Sequence, residues 1–180
     1  MNIALTGSSG LIGLHLLQDL KNLNYNISCI SSSHSSSETN IFSYEDMLAG
    51  KISQPIDFII HLASINSEMN DLDIPLEVAI TEDVIKSMPL IQCKKIIFFS
   101  SAKVYGDNSF EHKLILESSS LNPSCAYGKA KSLCEEHIIK SAKDMNFNYL
   151  IFRMPPLLIN HPKSNVGKIF QFLGKGFPIP

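Results

Sequence analysis

The chain opens with a short apolar run that ends in three evenly spaced glycines, Met1-Asn-Ile-Ala-Leu-Thr-Gly-Ser-Ser-Gly-Leu-Ile-Gly13. Residues 3–6 read as a strand buried on both faces, and residues 11–23 as a helix with Ile12, Leu16, Leu20 and Leu23 on one face. A strand that passes into a helix through a glycine turn constrains the fold strongly, because it is the first half of a β-α-β unit. The turn also aims backbone N–H groups at an anion, and the positive end of the helix dipole helps to hold it. In this pattern Gly7 permits the tight turn, Gly10 lets a pyrophosphate approach the backbone, and Gly13 lets the helix lie close to the sheet. Ser9, Leu11 and Ile12 belong to the same phosphate-facing turn. The competing reading is an ordinary strand–helix turn that happens to be rich in glycine.

The rest of the chain continues the alternation. Residues 26–30, 56–62, 95–100 and 149–153 are apolar and read as strands. Leu76, Ile80, Val84, Met88 and Ile91 form a helical stripe that Pro89 kinks or ends, and a long helix runs over about 126–145. Residues 31–37 are a polar loop of six serines around His34. This order implies an α/β fold, a doubly wound parallel sheet with helices on both faces. Ligands in such sheets bind at the carboxyl ends of the strands, where Gly7, Ser31, Ala63, Ser100 and Arg153 fall.

Composition narrows the function classes. The 180 residues are 44% hydrophobic and 18% charged, which supports a folded domain with a real core. A net charge of −2 without a basic run argues against a nucleic-acid or polybasic membrane partner. The four cysteines (Cys29, Cys93, Cys125, Cys134) have no C-x-x-C spacing, so reduced packing residues are favoured over metal ligands or disulfides. Nothing resembles a signal peptide or a long apolar span, and a cytoplasmic enzyme is the expectation.

Two segments carry candidate chemistry. Ser100-Ser101-Ala102-Lys103-Val104-Tyr105-Gly106 ends one strand, and Tyr127-Gly-Lys-Ala-Lys131 opens the next helix. Tyr127 and Lys131 are four apart and share one helical face. Free tyrosine, with a pKa of about 10, is a poor base at neutral pH, and a nearby ammonium favours its phenolate. A tyrosine so tuned can take a proton from an alcohol while hydride leaves the carbon. A hydroxyl such as Ser101 can hydrogen-bond the same oxygen. A surface Tyr–Lys pair and a strand-end cap at Ser101 are the structural alternatives.

Together these motifs resemble the extended short-chain dehydrogenase/reductase family, also called the NAD-dependent epimerase/dehydratase family. That family carries T-G-x-x-G-x-x-G, H-x-A-A/S, S-S/T-x-x-V-Y-G and Y-x-x-x-K. This chain reads Thr6 to Gly13, His61-Leu-Ala-Ser64, Ser100 to Gly106 and Tyr127 to Lys131. The resemblance implies a Rossmann-like domain over 1–162 and the start of a truncated substrate domain over 163–180, with a helix at 165–173. It implies Tyr127 as general base/acid, Lys131 on the nicotinamide ribose and Ser101 as the substrate-binding hydroxyl. Gly7, Ser9, Gly10, Leu11, Ile12, Gly13, Ser31, Ser32, Leu62, Ala63, Ser64, Ser100 and Pro155 would contact the cofactor, with Tyr127 and Lys131. The implied substrate is a nucleotide sugar, UDP-linked by analogy, and the implied assembly a homodimer. No metal is implied. Glu135 matches a common family glutamate, with an i,i+4 pair to Lys131 as the alternative. Arg153 stands beside the nicotinamide segment or serves as a structural ion-pair partner.

The chain departs from the family at several places. The acidic residue that usually binds the ribose 2′-OH is replaced by Ser31, with Ser32 beside it, so NAD and NADP both stay open; His34 is a candidate phosphate contact or a solvated loop residue. The Asp-Glu pair of the 4,6-dehydratases is Ala102-Lys103 here, which disfavours dehydration. The family's Asn in the helix before the Ser-Ser strand falls near Glu77. Three functions follow as expectations: a nucleotide-sugar 4-epimerase, an NADPH-dependent 4-keto-sugar or other carbonyl reductase, or a non-catalytic dinucleotide sensor.

Overall fold

The strand at the start of the chain forms as β1 (Asn2–Thr6), and the glycine turn carries it into α1 (Leu11–Asn22). The computed structural model describes residues 1–32, 40–65, 68–107 and 114–157. His34 with most of the serine loop, and the segment 163–180 with its expected helix, lie outside the described residues. After α1 come β2 (Asn26–Ile30), β3 (Ile41–Phe42), α2 (Tyr44–Leu48), β4 (Phe58–His61), α3 (Ile74–Ser87), β5 (Lys95–Ser101), α4 (Ala126–Met145) and β6 (Asn148–Met154). The six strands are parallel in the order β3-β2-β1-β4-β5-β6. This is the doubly wound Rossmann order that the alternation predicts. Its direction reverses between β1 and β4, where Thr6 pairs with His61, so the ligand crevice of such a sheet opens there.

Both faces are covered over β1, β2 and β4, which is why these strands are apolar without alternation, whereas Leu150 and Phe152 of β6 are 49% and 42% exposed among the described residues. Ala4, Ile30, Ile59, Ile96 and Phe98 pack under Met47 of α2, Val84 and Ile85 of α3, and Cys134 and Ile138 of α4. Ile3, Leu5, Ile27 and Ile60 face α1 through Leu16, Leu17 and Leu20. Cys29, Cys93 and Cys134 are buried and form no disulfide among the described residues, in keeping with a packing role. Burial pushes the Cys134 thiol up to about 11, which makes it a poor nucleophile.

Three differences from the sequence reading have physical causes. The short β3 and α2 have no counterpart in it, although Ser43 and Asp46 form a capping box that the sequence displays. Leu23 does not join the α1 face; it is the exposed residue that caps the helix. The stripe on α3 is correct from Val84 onward but not before it. Leu76 is 57% exposed, while Glu77 and Thr81 turn inward at 1%. A carboxylate goes to the core only where a counter-ion waits for it, and Lys131 of α4 is that counter-ion.

Candidate functional site

The switch point is built around one hydroxyl. Thr6 Oγ1 accepts from the backbone N–H of Leu62 (3.2 Å) and of Ala63 (3.1 Å), so its own hydrogen goes to His61 Nδ1 at 2.7 Å. His61 then carries its proton on Nε2 and donates to Thr81 Oγ1 at 3.2 Å. The ring is fully buried; burial first, and the Lys131 charge second, hold it neutral with a pKa lowered to about 3. The network ties the end of β1 to the end of β4 and then to α3.

His61 has a consequence for stability. Below pH 6.5 the unfolded chain takes up a proton that the folded chain refuses until about pH 3. The contribution is therefore complete above 6.5 and is lost as pH falls toward 3. At pH 5 the loss is about 2 kcal/mol from this group alone. A His61→Asn variant should show a correspondingly flatter fall of melting temperature between about pH 7.5 and pH 5; parallel curves would contradict the assignment.

The glycine turn fits an anion. Gly7 has φ of +71°, and a Cβ there would lie 2.7 Å from Ala63 N, so only glycine allows β1 and β4 to meet so closely. A Cβ at Gly13 would lie 2.1 Å from Gly7 O. Gly13 therefore closes α1 onto the Gly7–Ser8 backbone, not onto the sheet as the motif alone suggests. Gly10 N donates to Gly7 O at 3.0 Å and completes the turn. No side chain caps α1 and no acidic residue stands in its first turn, so its N-terminal N–H groups face outward unneutralised. Ser9 is exposed, and Leu11 and Ile12 are half-buried on this turn. Across it, Ser64 Oγ is buried and has no hydrogen-bond partner among the described residues. Such orphaned polar atoms fit a site built to hold a polar ligand.

At the end of β2, Ser31 and Ser32 stand where the sequence puts them, and Ser31 N donates to Phe42 O at 2.9 Å. A cavity of about 580 Å³ opens beside them, bounded by Ser32, Ser43, Tyr44, Glu45, Asp46 and Lys51. Sequence reasoning misses Tyr44 and Lys51, because it misses the two short elements that bring them here. Lys51 pairs with Asp46 at 2.6 Å.

The catalytic candidates meet at the adjoining strand end. Ser101 closes β5 and its Oγ accepts from Lys103 N at 3.2 Å. The strand-end cap is thus real, and it leaves the hydroxyl hydrogen available to donate. A Cβ at Gly128 would lie 2.6 Å from Lys103 O, so the glycine after Tyr127 seats α4 directly on this turn. Tyr127 is half-buried, and its hydroxyl makes no hydrogen bond among the described residues. Lys131 Nζ lies 5.7 Å from the Tyr127 ring centre and 4.9 Å from that of Phe98, while Lys103 Nζ lies 5.9 Å from Tyr127. Lys131 is 1% exposed and contacts Glu77 Oε1 at 2.9 Å, an ion pair out of line for a hydrogen bond.

Glu135 does not pair with Lys131, the alternative drawn from their spacing. Its buried carboxylate accepts from the Ser100 hydroxyl, from Arg153 Nε (3.1 Å to each oxygen) and from an Arg153 terminal nitrogen (2.8 Å). Arg153 also donates to the Tyr105 hydroxyl at 2.6 Å and to Glu117 O at 2.8 Å. The carboxylate beside it, first, then the Tyr105 hydroxyl, holds the guanidinium above its ordinary pKa against the opposing effect of burial. Arg153 therefore serves as an ion-pair partner: through Glu135, which also holds the Ser100 hydroxyl, it ties β6 to α4 and β5, and through Tyr105 to the turn after β5. Pro155 follows β6 and is exposed. Among the described residues no cluster of metal-ligating side chains occurs, and no helix is long and apolar enough to cross a membrane.

A parallel sheet in Rossmann order, an anion-ready turn at its switch point and a Tyr–Lys pair at the neighbouring strand end define a dinucleotide-binding class of protein. Residues 3–174 match the NAD dependent epimerase/dehydratase family, and the chain belongs to that family. It is 26% identical over 197 residues to a UDP-glucose 4-epimerase of Vibrio cholerae, covering 99% of this chain and 58% of that protein. A UDP-glucose 4-epimerase of Yersinia pestis is 28% identical over 193 residues, covering 93% and 56%. The chain thus spans somewhat over half the length of these relatives. Among solved structures, UDP-N-acetylglucosamine 4-epimerase from Bacillus cereus superposes with a TM-score of 0.83 at 17% identity, covering 99% of this chain and 64% of that one. UDP-glucuronic acid 4-epimerase from Bacillus cereus in complex with NAD gives 0.81 at 23% identity, covering 99% and 65%.

Proposed function

We propose that this chain is the cofactor-binding, proton-transferring part of a nucleotide-sugar 4-epimerase that uses an NAD-type dinucleotide. The observation that carries the reading is Tyr127, its hydroxyl unengaged, held with Lys131 on one face of α4 at the C-terminal edge of the sheet. Residues 7–13 would hold the pyrophosphate, and Ser31 and Ser32 the adenine ribose. Leu62, Ala63, Ser64, Ser100 and Pro155 would border the dinucleotide, and Lys131 the nicotinamide ribose. When bound, an NAD-type dinucleotide would supply a reversible hydride acceptor for sugar C4. Tyr127 receives the C4-hydroxyl proton at its phenolic oxygen and gives it back once the sugar presents its other face. Ser101 donates to the same sugar oxygen, and Lys131 offsets charge building on the phenolic oxygen. Family membership and the UDP-sugar epimerases among the relatives support this reading. Homodimer assembly through helices that include α4 belongs to the same reading.

One observation favours a second reading, an NADPH-dependent 4-keto-sugar or other carbonyl reductase. The described end of β2 offers Ser31 and Ser32 in place of a carboxylate, and the cavity beside them is bordered by Lys51 as well as by Glu45 and its ion-pair partner Asp46. Presenting the NAD-loaded protein with a panel of UDP-sugars separates the two. An epimerase forms the C4 epimer with no net reduction of cofactor, whereas a reductase consumes NADPH mole for mole with a 4-keto sugar. Dinucleotide binding with neither outcome would remove the catalytic reading.

A further inference from the structure

Glu77 is among the most deeply buried polar groups of the described residues, at 1% exposure. Its two carboxylate oxygens do different jobs. Oε1 faces Lys131 Nζ at 2.9 Å, and Oε2 accepts from Ile65 N at 2.8 Å. Ile65 lies in the segment after β4 that starts at Leu62 and carries Ala63 and Ser64. One side chain therefore holds the loop after β4 and the ammonium on α4 in a common frame. A buried ion pair is weak evidence of stability, because apolar residues of like volume often do as well. The pairing of two separate functional segments through one carboxylate is what needs a reason.

We infer that Glu77 is a positioning residue that sets Lys131 and the 62–65 loop together for the nicotinamide half of a bound dinucleotide. The inference rests on the reading of Lys131 as a ribose contact. An amide cannot replace the carboxylate. In Glu77→Gln one acceptor oxygen would have to serve two donors, the Ile65 N–H and the Lys131 ammonium, and the NH2 would face whichever it left. Aspartate keeps the charge but falls one methylene short, so it can reach Lys131 or Ile65 N and not both.

NADH and ADP test this on the chain as it stands, with titrations of the native protein, Glu77→Gln and Glu77→Asp. ADP shares the pyrophosphate and adenosine with NADH and lacks the nicotinamide riboside. The expected result is a rise of about tenfold in the NADH dissociation constant for Glu77→Gln and about threefold for Glu77→Asp, with ADP affinity within about twofold of native in both. Glu77→Asp keeps the buried charges matched, so it carries the test should Glu77→Gln fail to fold. Unchanged NADH affinity in the folded variants would overturn the inference and leave the site reading intact. So would equal losses for NADH and ADP, which mark a purely structural role. A native chain that binds ADP or NADH nowhere would overturn the site reading and this inference with it.

Discussion

Tyr127→Phe should lower the turnover of a UDP-sugar by about 10²- to 10⁴-fold, the usual worth of a positioned acid–base group. The same variant should bind NADH within about threefold of native and melt at the native temperature. These two controls follow from the geometry. Among the described residues the phenolic hydroxyl makes no hydrogen bond that folding would miss, and the ring itself, which sits beside Lys131 and Lys103, is retained. Steady-state rates on both epimers, with NADH titration and thermal melts on the same preparation, check all three. Full turnover in the variant would remove Tyr127 from the mechanism. A rate loss that tracked a fall in melting temperature would make its role structural.

Arg153→Met should destabilise the fold by about 3–5 kcal/mol, because it strands the Glu135 carboxylate in the core with only the Ser100 hydroxyl for company. For a domain of this size that is a fall of roughly 10 °C in melting temperature. The cause is the uncompensated charge and not the lost contact area. Removing both charges in Arg153→Met with Glu135→Leu should therefore recover most of the loss. Chemical denaturation of the two single variants and the double variant reads this directly. Additive losses would show that the two side chains act independently, against the bidentate geometry seen between them.

The fold is legible in the sequence wherever local pattern and tertiary need agree. β2 and α4 begin and end where their residues place them, because Asn26–Ile30 is a compact, largely apolar run and the residues after Gly128 run without a proline or glycine to the left-handed Asn146. The glycine turn is legible because backbone chemistry at Gly7 and Gly13 tolerates no substitute. What escapes are features fixed by distant partners. A search for an apolar stripe on α3 picks Leu76 and passes over Glu77, since nothing nearby in sequence announces that Lys131 will meet it. For the same reason Glu135 is drawn to Lys131 by their spacing, while the fold gives it Arg153, on the next strand. β3 and α2 escape because two and five residues are too few for periodicity to register, although the Ser43–Asp46 capping box is present. With them go Tyr44 and Lys51, which border the cavity beside Ser32.

The central claim is that the turn from Gly7 to Gly13, set against Ala63 at the reversal of the sheet, holds a nicotinamide dinucleotide. Calorimetric titration of the native chain with NADH and NADPH tests it most directly. The expected result is saturable binding of one dinucleotide per chain, displaced by ADP. Heats indistinguishable from dilution for both dinucleotides, on protein shown by its melt to be folded, would contradict it.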